Sequence, residues 1–326
     1  MISVCICTYN GEKFIREQLM SIMNQTLKAD EVIIYDDGSS GDTVEIVKYF
    51  IKENKLADTW KLYYNNGNKG YPHSFYHAME LCSGDIVFLG DQDDVWAADK
   101  LDIMVSIMDE HKQVKLLASK WGMIDTQGQE LRSALKVQRK NKEELEAVTF
   151  EQVLYRYEWP GMSMCYRKEF GQEFLGIIKT RELAHDMALA LTAAEQDAFF
   201  VCSQVCQYHR RHESNTAREE HRLHKLLNKE RKVEEIREYL AMLQKVVQSG
   251  CVRNGENALR VEKKRKIMQT RLRNLESGKR SAVWKQYWGN REEIRVETVI
   301  CDLIICGRKG QYNEGVIKKC DKEECK

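Results

Sequence analysis

The chain has 326 residues, 43% of them hydrophobic and 31% charged, with a formal net charge of +1. That balance fits a folded protein with one larger and one smaller domain and excludes a disordered polyelectrolyte. It also holds no apolar run of the roughly 20 residues that a membrane-spanning helix needs.

In chain order, residues 2–7 read as a buried strand, too short and too plainly flanked to be a secretion leader. Residues 11–25 read as an amphipathic helix with Phe14, Ile15, Leu19, Ile22 and Met23 on one side. A second strand, 31–35, closes in Asp36-Asp37-Gly38-Ser39-Ser40, and Ser40 or Asp42 is placed to cap the next helix. Strand 60–64, a loop over 65–70, a helix near 74–82 and strand 86–89 follow. The last of these is a short apolar run that fits a strand buried on both faces. Four strand–helix alternations predict an α/β domain with a mostly parallel central sheet.

Further on, 100–111 reads as a helix and 114–119 as a strand, while 126–146 is polar and aperiodic, an excursion placed to lie over a cleft. A helix at 150–157 stops at Pro160-Gly161, 161–167 reads as a strand, 183–194 as a helix opening at His185-Asp186, and 201–209 as an edge strand. Beyond Thr216 the pattern becomes long, charge-rich helices, so the expected domains are 1–216 and 217–326. Charge divides at the same place, with 24 basic and 33 acidic residues through 216 and 27 and 17 after it. Eleven cysteines without a Cys-x-x-Cys pair read as free thiols of a cytoplasmic protein and argue against a zinc site.

The chemistry gathers where strand 86–89 runs into Asp91-Gln92-Asp93-Asp94. Three carboxylates in four residues repel one another at the mouth of a buried strand, and Mg²⁺ or Mn²⁺ completed by substrate phosphates would neutralise them. A solvated acidic turn is the plain alternative. Thr8-Tyr9-Asn10-Gly11 ends the first strand without a G-x-G-x-x-G, and no P-loop lysine pattern occurs, which disfavours dinucleotide binding and P-loop phosphoryl transfer. Asp37 can accept the imide N–H of uracil or thymine, with Thr8 and the backbone beside Tyr9 completing the grip; taken alone it reads better as a turn or cap aspartate. Asp186 can deprotonate an incoming hydroxyl, with His185 as a hydrogen-bond partner, although an isolated His-Asp at a helix start is usually a cap. In Tyr208-His209-Arg210-Arg211-His212, Arg211 or Arg210 can hold a diphosphate and His212 can complete a metal shell.

Taken together, the ordered motifs TYNG, YDDGS, NxGNxG, GDQDDVW, HD and YHRRHxxN resemble family 2 of the inverting glycosyltransferases, and most nearly its bacterial rhamnosyltransferase-like members, over residues 1–216. The resemblance implies a GT-A type nucleotide-diphospho-sugar transferase fold followed by a helical region. It implies a donor held by Thr8, Tyr9, Asn10, Asp37, Asn68, Gly70, Asp91, Gln92 and Arg211, a Mn²⁺ or Mg²⁺ ion on Asp91, Asp93 and His212, and Asp186 as general base. A dTDP- or UDP-sugar donor, rhamnose favoured, and a glycan or lipid-linked glycan acceptor in cell-surface polysaccharide synthesis are implied as well, with no nucleic-acid partner. Met187 departs from the aromatic residue that the family often shows after its His-Asp pair. A nucleotidyltransferase, which usually needs a Gly- and Lys-rich loop where TYNG stands, and a catalytically silent nucleotide-sugar-binding protein are the alternatives. Val261, Met268, Leu272 and Leu275 share a helix face opposite Lys263, Lys264, Arg265, Lys266, Arg271 and Arg273, with Trp284, Tyr287 and Trp288 following. This region suits either peripheral contact with an anionic membrane, at the inner face of the cell membrane, or packing on the catalytic domain or a second subunit.

Overall fold

The structure is a computed structural model and describes residues 1–131, 145–212, 228–291 and 293–307. Its β-branched and aromatic runs assemble into one sheet of nine strands among the described residues, ordered β3-β2-β1-β4-β8-β6-β9-β5, with β7 paired to β9. The strands β1 (Ile2–Thr8), β2 (Glu31–Asp36), β3 (Trp60–Tyr64) and β4 (Ile86–Gly90) are parallel. Helices α1 (Ile15–Met23), α2 (Thr43–Glu53) and α3 (Tyr71–Leu81) connect them. Every residue of β4 is buried, as its unbroken apolar run requires of a strand covered on both faces. The register sets Thr8 beside Asp36 and Ile6 beside Gly90. With neighbouring strands about 4.8 Å apart, the loops after β2 and β4 flank β1 across roughly 10 Å.

The other half of the sheet is mixed. Strand β8 (Met164–Arg167) runs antiparallel to both β4 and β6 (Leu116–Ile124), and β6 runs parallel to β9 (Phe199–Arg210). The edge strand expected at 201–209 is instead an interior strand, because β5 (Val95–Trp96) and β7 (Leu145–Ala147) pair along its outer side. Two- and three-residue strands carry too little alternation to be read in a sequence. A bulge sets Cys202 opposite Ser119 but Val205 opposite Lys120, and such irregularities re-aim the strand end beyond them, here the end bearing His209 and Arg210.

Several boundaries move for local reasons. The helix expected from residue 11 begins at Ile15, because the Gly11 carbonyl accepts from Phe14 N at 3.1 Å and Ile15 N at 3.0 Å in a turn that precedes it. Asp42 stands at the N-cap of α2 without a side-chain capping bond, and Ser40 faces Asn10 instead. Helix α4 (Lys100–Glu110) precedes β6, and α5 (Phe150–Tyr155) opens on a capping box between Thr149 and Gln152. The strand expected from 161 starts at Met164; Gly161–Ser163 is a 3₁₀ turn closed by Ser163 Oγ on the Pro160 carbonyl at 2.7 Å. Helix α6 (Lys168–Ile177), which follows β8 with no intervening turn residue, buries Phe170 and Phe174; α7 (His185–Ala194) comes next. Of the 126–146 excursion, 132–144 lie outside the described residues; at its start Asp125 Oδ1 accepts from Gln127 N and Gln129 N, both at 2.9 Å.

The chain divides into two units, one of Met1–Ala217 with Gln244–Val261, the other of Arg218–Leu243 with Glu262–Lys326. In the first, the returning segment is tied down by Lys179 N on the Ser249 carbonyl at 2.7 Å and Arg253 N on Glu195 Oε2 at 2.9 Å. The second draws on α8 (Lys229–Ser249), α9 (Gly255–Ser277), α10 (Arg280–Gly289) and α11 (Val296–Gly307). Its core contains Val233, Ile236, Met268, Leu275 and Ile305. Met268 and Leu275, read in the sequence as part of a stripe available to lipid, are therefore internal to this unit. No helix of the described residues is long and apolar enough to cross a membrane.

Candidate active site

The site is built on the carboxyl ends of β1, β2 and β4. Thr8 is buried, and its hydroxyl donates to Asp36 Oδ2 at 2.7 Å; Asp36 also accepts from Ser39 N at 2.8 Å and Ser39 Oγ at 2.6 Å. The Thr8 hydroxyl thus holds the β2 loop. Asn10 adopts φ +48°, a left-handed conformation that Asn tolerates, and bridges the same loop: its N–H donates to Ser39 Oγ at 2.8 Å and its Oδ1 accepts from Ser40 N at 3.0 Å. Tyr9 between them is exposed.

Asp37 is buried at the end of β2. Its Oδ1 accepts from Asn65 Nδ2 at 3.0 Å and Lys69 N at 2.8 Å, and its Oδ2 from Gly70 N at 2.8 Å. Asn68 Oδ1 reaches the same Gly70 N at 2.7 Å, so the 65–70 loop is folded down onto this carboxylate. A carboxylate offers about four acceptor positions, which leaves Asp37 one, on Oδ2.

The Asp91–Asp94 turn is held from both sides. The Gln92 amide pairs with the main chain of Tyr9. Asp93 Oδ2 lies 2.7 Å from His212 Nε2. The buried Asp94 meets His209 Nδ1 at 2.9 Å and Arg210 N at 3.3 Å through Oδ1, while its Oδ2 has no hydrogen-bond partner among the described residues. Arg210 is fully buried and directed inward: Nε donates to the Asp93 carbonyl at 2.9 Å, Nη1 to the Asp125 carbonyl at 3.1 Å and Nη2 to Glu17 Oε2 at 2.6 Å, with the guanidinium 4.8 Å from the Phe14 ring centre. Of the two arginines weighed for a diphosphate, Arg210 is therefore structural and Arg211 is the exposed one.

Electrostatics follow from this crowding. Burial, then the charges of Asp94 and Asp93, pushes the Asp91 carboxyl well above the usual carboxylate range, and Asp186 adds to the effect. Burial likewise raises Asp94. For His209 burial acts downward, yet the Asp94 hydrogen bond and the charges of Asp94, Asp91 and Asp93 raise it to about 9.

Asp186 opens α7, with Oδ1 accepting from Met187 N at 2.7 Å and Oδ2 from Gly161 N at 3.1 Å. Its charge is felt by Asp91, and by Tyr71 and Tyr157: burial first, then Asp186 and Asp91, raises the Tyr71 phenol to about 12, and burial with Asp186 raises Tyr157. His185 does not pair with Asp186. Its ring is buried against Phe75, centroids 3.8 Å apart, with neither ring nitrogen hydrogen-bonded to a described residue, and burial pushes it down to about 4. Cys7, at the end of β1, responds to both Asp91 and Asp37, so the two acids flank the same strand end.

Sequence reading singled out neither Tyr71, Tyr157 nor Gly161. Tyr71 directly follows the Asn-Gly-Asn-Lys-Gly loop and Gly161 directly follows Pro160, which are the only local signals; their approach to Asp186 is long-range. No three or more His, Cys, Asp or Glu side chains among the described residues form a cation cage. The expected set of Asp91, Asp93 and His212 is present as the Asp93–His212 pair, with Asp91 accepting no hydrogen bond from a described residue. Oxygen-rich, negatively charged and short of protein ligands, this donor set fits a hard divalent cation that a substrate diphosphate and water complete.

Residues 3–170, half of the chain, match the family described as glycosyl transferase family 2. The chain belongs to that family. The chain spans about half or less of the length of the curated relatives it matches. It is 33% identical over 124 residues to the poly(ribitol-phosphate) beta-N-acetylglucosaminyltransferase TarS of Staphylococcus aureus, covering 37% of this chain and 21% of TarS. It is 31% identical over 108 residues to the UDP-Glc:alpha-D-GlcNAc-diphosphoundecaprenol beta-1,3-glucosyltransferase WfgD of Escherichia coli, covering 33% and 41%. Among solved structures, TarS 1–349 in complex with UDP superposes with a TM-score of 0.52 at 20% identity over 91% of this chain and 76% of that one. The mannosyltransferase PcManGT from Pyrobaculum calidifontis, in complex with GDP-Man and Mn²⁺, gives 0.53 at 16% identity over 94% and 85%. The fold of the chain is thus of the GT-A type, a mixed α/β sheet with a helical carboxyl-terminal region.

Proposed function

We propose that this glycosyltransferase moves a sugar, with inversion, from a UDP- or dTDP-sugar to a hydroxyl of a glycan or lipid-linked glycan during cell-surface polysaccharide synthesis. The observation that carries the reading is Asp37, buried at the mouth of β2 with three donors on its carboxylate and one acceptor position left, across β1 from Asp91. A uracil or thymine imide N–H fits that position, and a nucleoside laid across β1 brings its diphosphate over the Asp91–Asp94 turn near the exposed Arg211. Relatives whose names carry UDP-Glc and a diphosphoundecaprenol-linked sugar, or poly(ribitol-phosphate), support the donor and acceptor classes. Rhamnose stays the favoured sugar on motif resemblance, and the inner face of the cell membrane the favoured place of action.

In the transfer, the acceptor oxygen forms its bond to the anomeric carbon as the carbon–phosphate oxygen bond breaks, and Asp186 takes the acceptor's proton. The N–H groups of Gly161 and Met187 fix the direction of the Asp186 oxygens, one on each, leaving each a free acceptor position. His185, neutral and stacked on Phe75, adds no competing charge beside it. Gln92 and Arg210 hold the turn that faces the diphosphate, and Arg211 opposes its charge. A Mn²⁺ or Mg²⁺ ion held by Asp93 and His212 beside Asp91 would supply further positive charge against the leaving diphosphate. All of these residues belong to the Met1–Ala217 segment, which we take as the catalytic domain.

The test is donor turnover with UDP- and dTDP-sugars, with divalent metal and with chelator. Release of nucleoside diphosphate that stops on chelation supports the reading, and undiminished turnover in chelator refutes its metal-dependent form.

A further inference from the structure

We infer that α10 and α11 together form a docking surface for an anionic lipid bilayer. The buried residues of the two helices are Val283, Val299, Ile305 and Asp302, the last paired with Arg271. Outward, α10 presents Trp284 and Trp288, 47% and 66% exposed, and α11 presents Val296, Ile300 and Ile304, 53%, 51% and 39% exposed. Within each helix these side chains recur every fourth residue, so each set forms one stripe. The helices are neighbours, joined by Arg280 Nε on the Leu303 carbonyl at 3.1 Å. Five large apolar side chains left in water on adjacent helices mark an interaction surface, since the core of this unit is already filled by other residues.

Charge chooses the partner. Residues 278–291 contain Lys279, Arg280, Lys285 and Arg291 and no acidic residue, and all four cations are exposed. Arg295 follows; Glu293 is occupied by Lys263 at 2.6 Å, and Glu297 in the first turn of α11 is exposed but outnumbered by the four cations and Arg295. A cationic rim around tryptophans suits the headgroup zone of an anionic membrane, where indole rings sit at the polar–apolar boundary and lysines and arginines meet lipid phosphates. A second copy of the chain fits less well: a two-fold contact sets the patch against itself, bringing Lys285 and Arg291 toward their own counterparts. The inference needs no donor, acceptor or turnover, so it stands or falls apart from the proposed reaction.

The experiment is flotation of the full chain with vesicles of phosphatidylcholine alone and of phosphatidylcholine mixed with phosphatidylglycerol. We expect binding to the mixed vesicles that weakens as salt is raised. Trp284→Ser with Trp288→Ser should lower the partition coefficient about tenfold or more, and Lys285→Glu with Arg291→Glu should bring mixed-vesicle binding to the neutral-vesicle level. The charge pair keeps the test decisive should circular dichroism show the tryptophan pair to be misfolded. Absence of wild-type binding, or equal binding by a folded variant pair, would overturn the inference. So would a wild-type dimer in sedimentation equilibrium that the folded tryptophan variant converts to monomer, because the patch would then be a copy–copy interface.

Discussion

Gln92 is paired with the main chain of Tyr9 as a neighbouring strand would be: Oε1 accepts from Tyr9 N at 2.9 Å and Nε2 donates to Tyr9 O at 3.0 Å. The pair joins the loop after β1 to the acidic turn after β4, two motifs more than eighty residues apart in sequence. Gly11 is what lets the amide pass, since a Cβ there would collide with Gln92 Oε1.

Gly11→Ala should therefore displace the Gln92 amide and weaken nucleotide binding by about 1–2 kcal/mol, the scale of two exchanged hydrogen bonds. In a Gln92→Ala background the same change should cost almost nothing more. A double-mutant cycle on nucleotide affinity decides this, and fully additive losses would show that the two residues act independently.

Arg210 is buried with its donors on two carbonyls and Glu17, so Arg210→Met should destabilise the fold by about 3 kcal/mol by leaving those acceptors unpaired. Urea midpoints measure it. A loss below about 0.5 kcal/mol, as expected of a surface arginine, would contradict the structural role assigned to it.

Asp186→Asn should lower kcat by about 10²–10⁴-fold, the usual contribution of a general base, and leave the affinity for nucleoside diphosphate unchanged. Parallel calorimetry and transfer assays separate the two effects. A variant with wild-type kcat would remove Asp186 from the base role.

His185 supplies a pH signature of stability. Burial lowers it to about 4, against the small upward pull of Asp186. A histidine depressed in the folded state contributes fully above its unfolded value near 6.5, and that contribution is lost as pH falls toward 4, because the unfolded chain takes the proton first. Over that window wild type should lose about 3 kcal/mol more than His185→Phe, which keeps the stacking on Phe75. Urea unfolding at several pH values reads the difference, and parallel curves would contradict it.

Much of this site is legible in the sequence because its parts sit at strand ends. The apolar run of β4 and the acids after it are contiguous, and Asp37 closes a strand in the same way. What remains hidden depends on distance in the chain. Arg210 and Arg211 are adjacent basic residues in one turn, yet register with β6 and the bulge near Cys202 turns one inward and leaves the other exposed. Thr8 reads as a ligand contact in the sequence, and the bond its hydroxyl gives to Asp36 has no local signature there. His185 looks like a partner for Asp186 until Phe75 is found against its ring. In α9, Met268 and Leu275 have the spacing of a lipid-facing stripe, but helices elsewhere in the same unit cover them, and that covering has no local signature.

The most direct test of the account is calorimetric binding of UDP, dTDP, CDP and ADP to the wild-type chain with Mn²⁺ present. The account predicts that UDP and dTDP bind at least about tenfold more tightly than CDP and ADP, a difference of 1.4 kcal/mol or more, since only uracil and thymine offer Asp37 an imide proton. Equal affinity for all four diphosphates would contradict it.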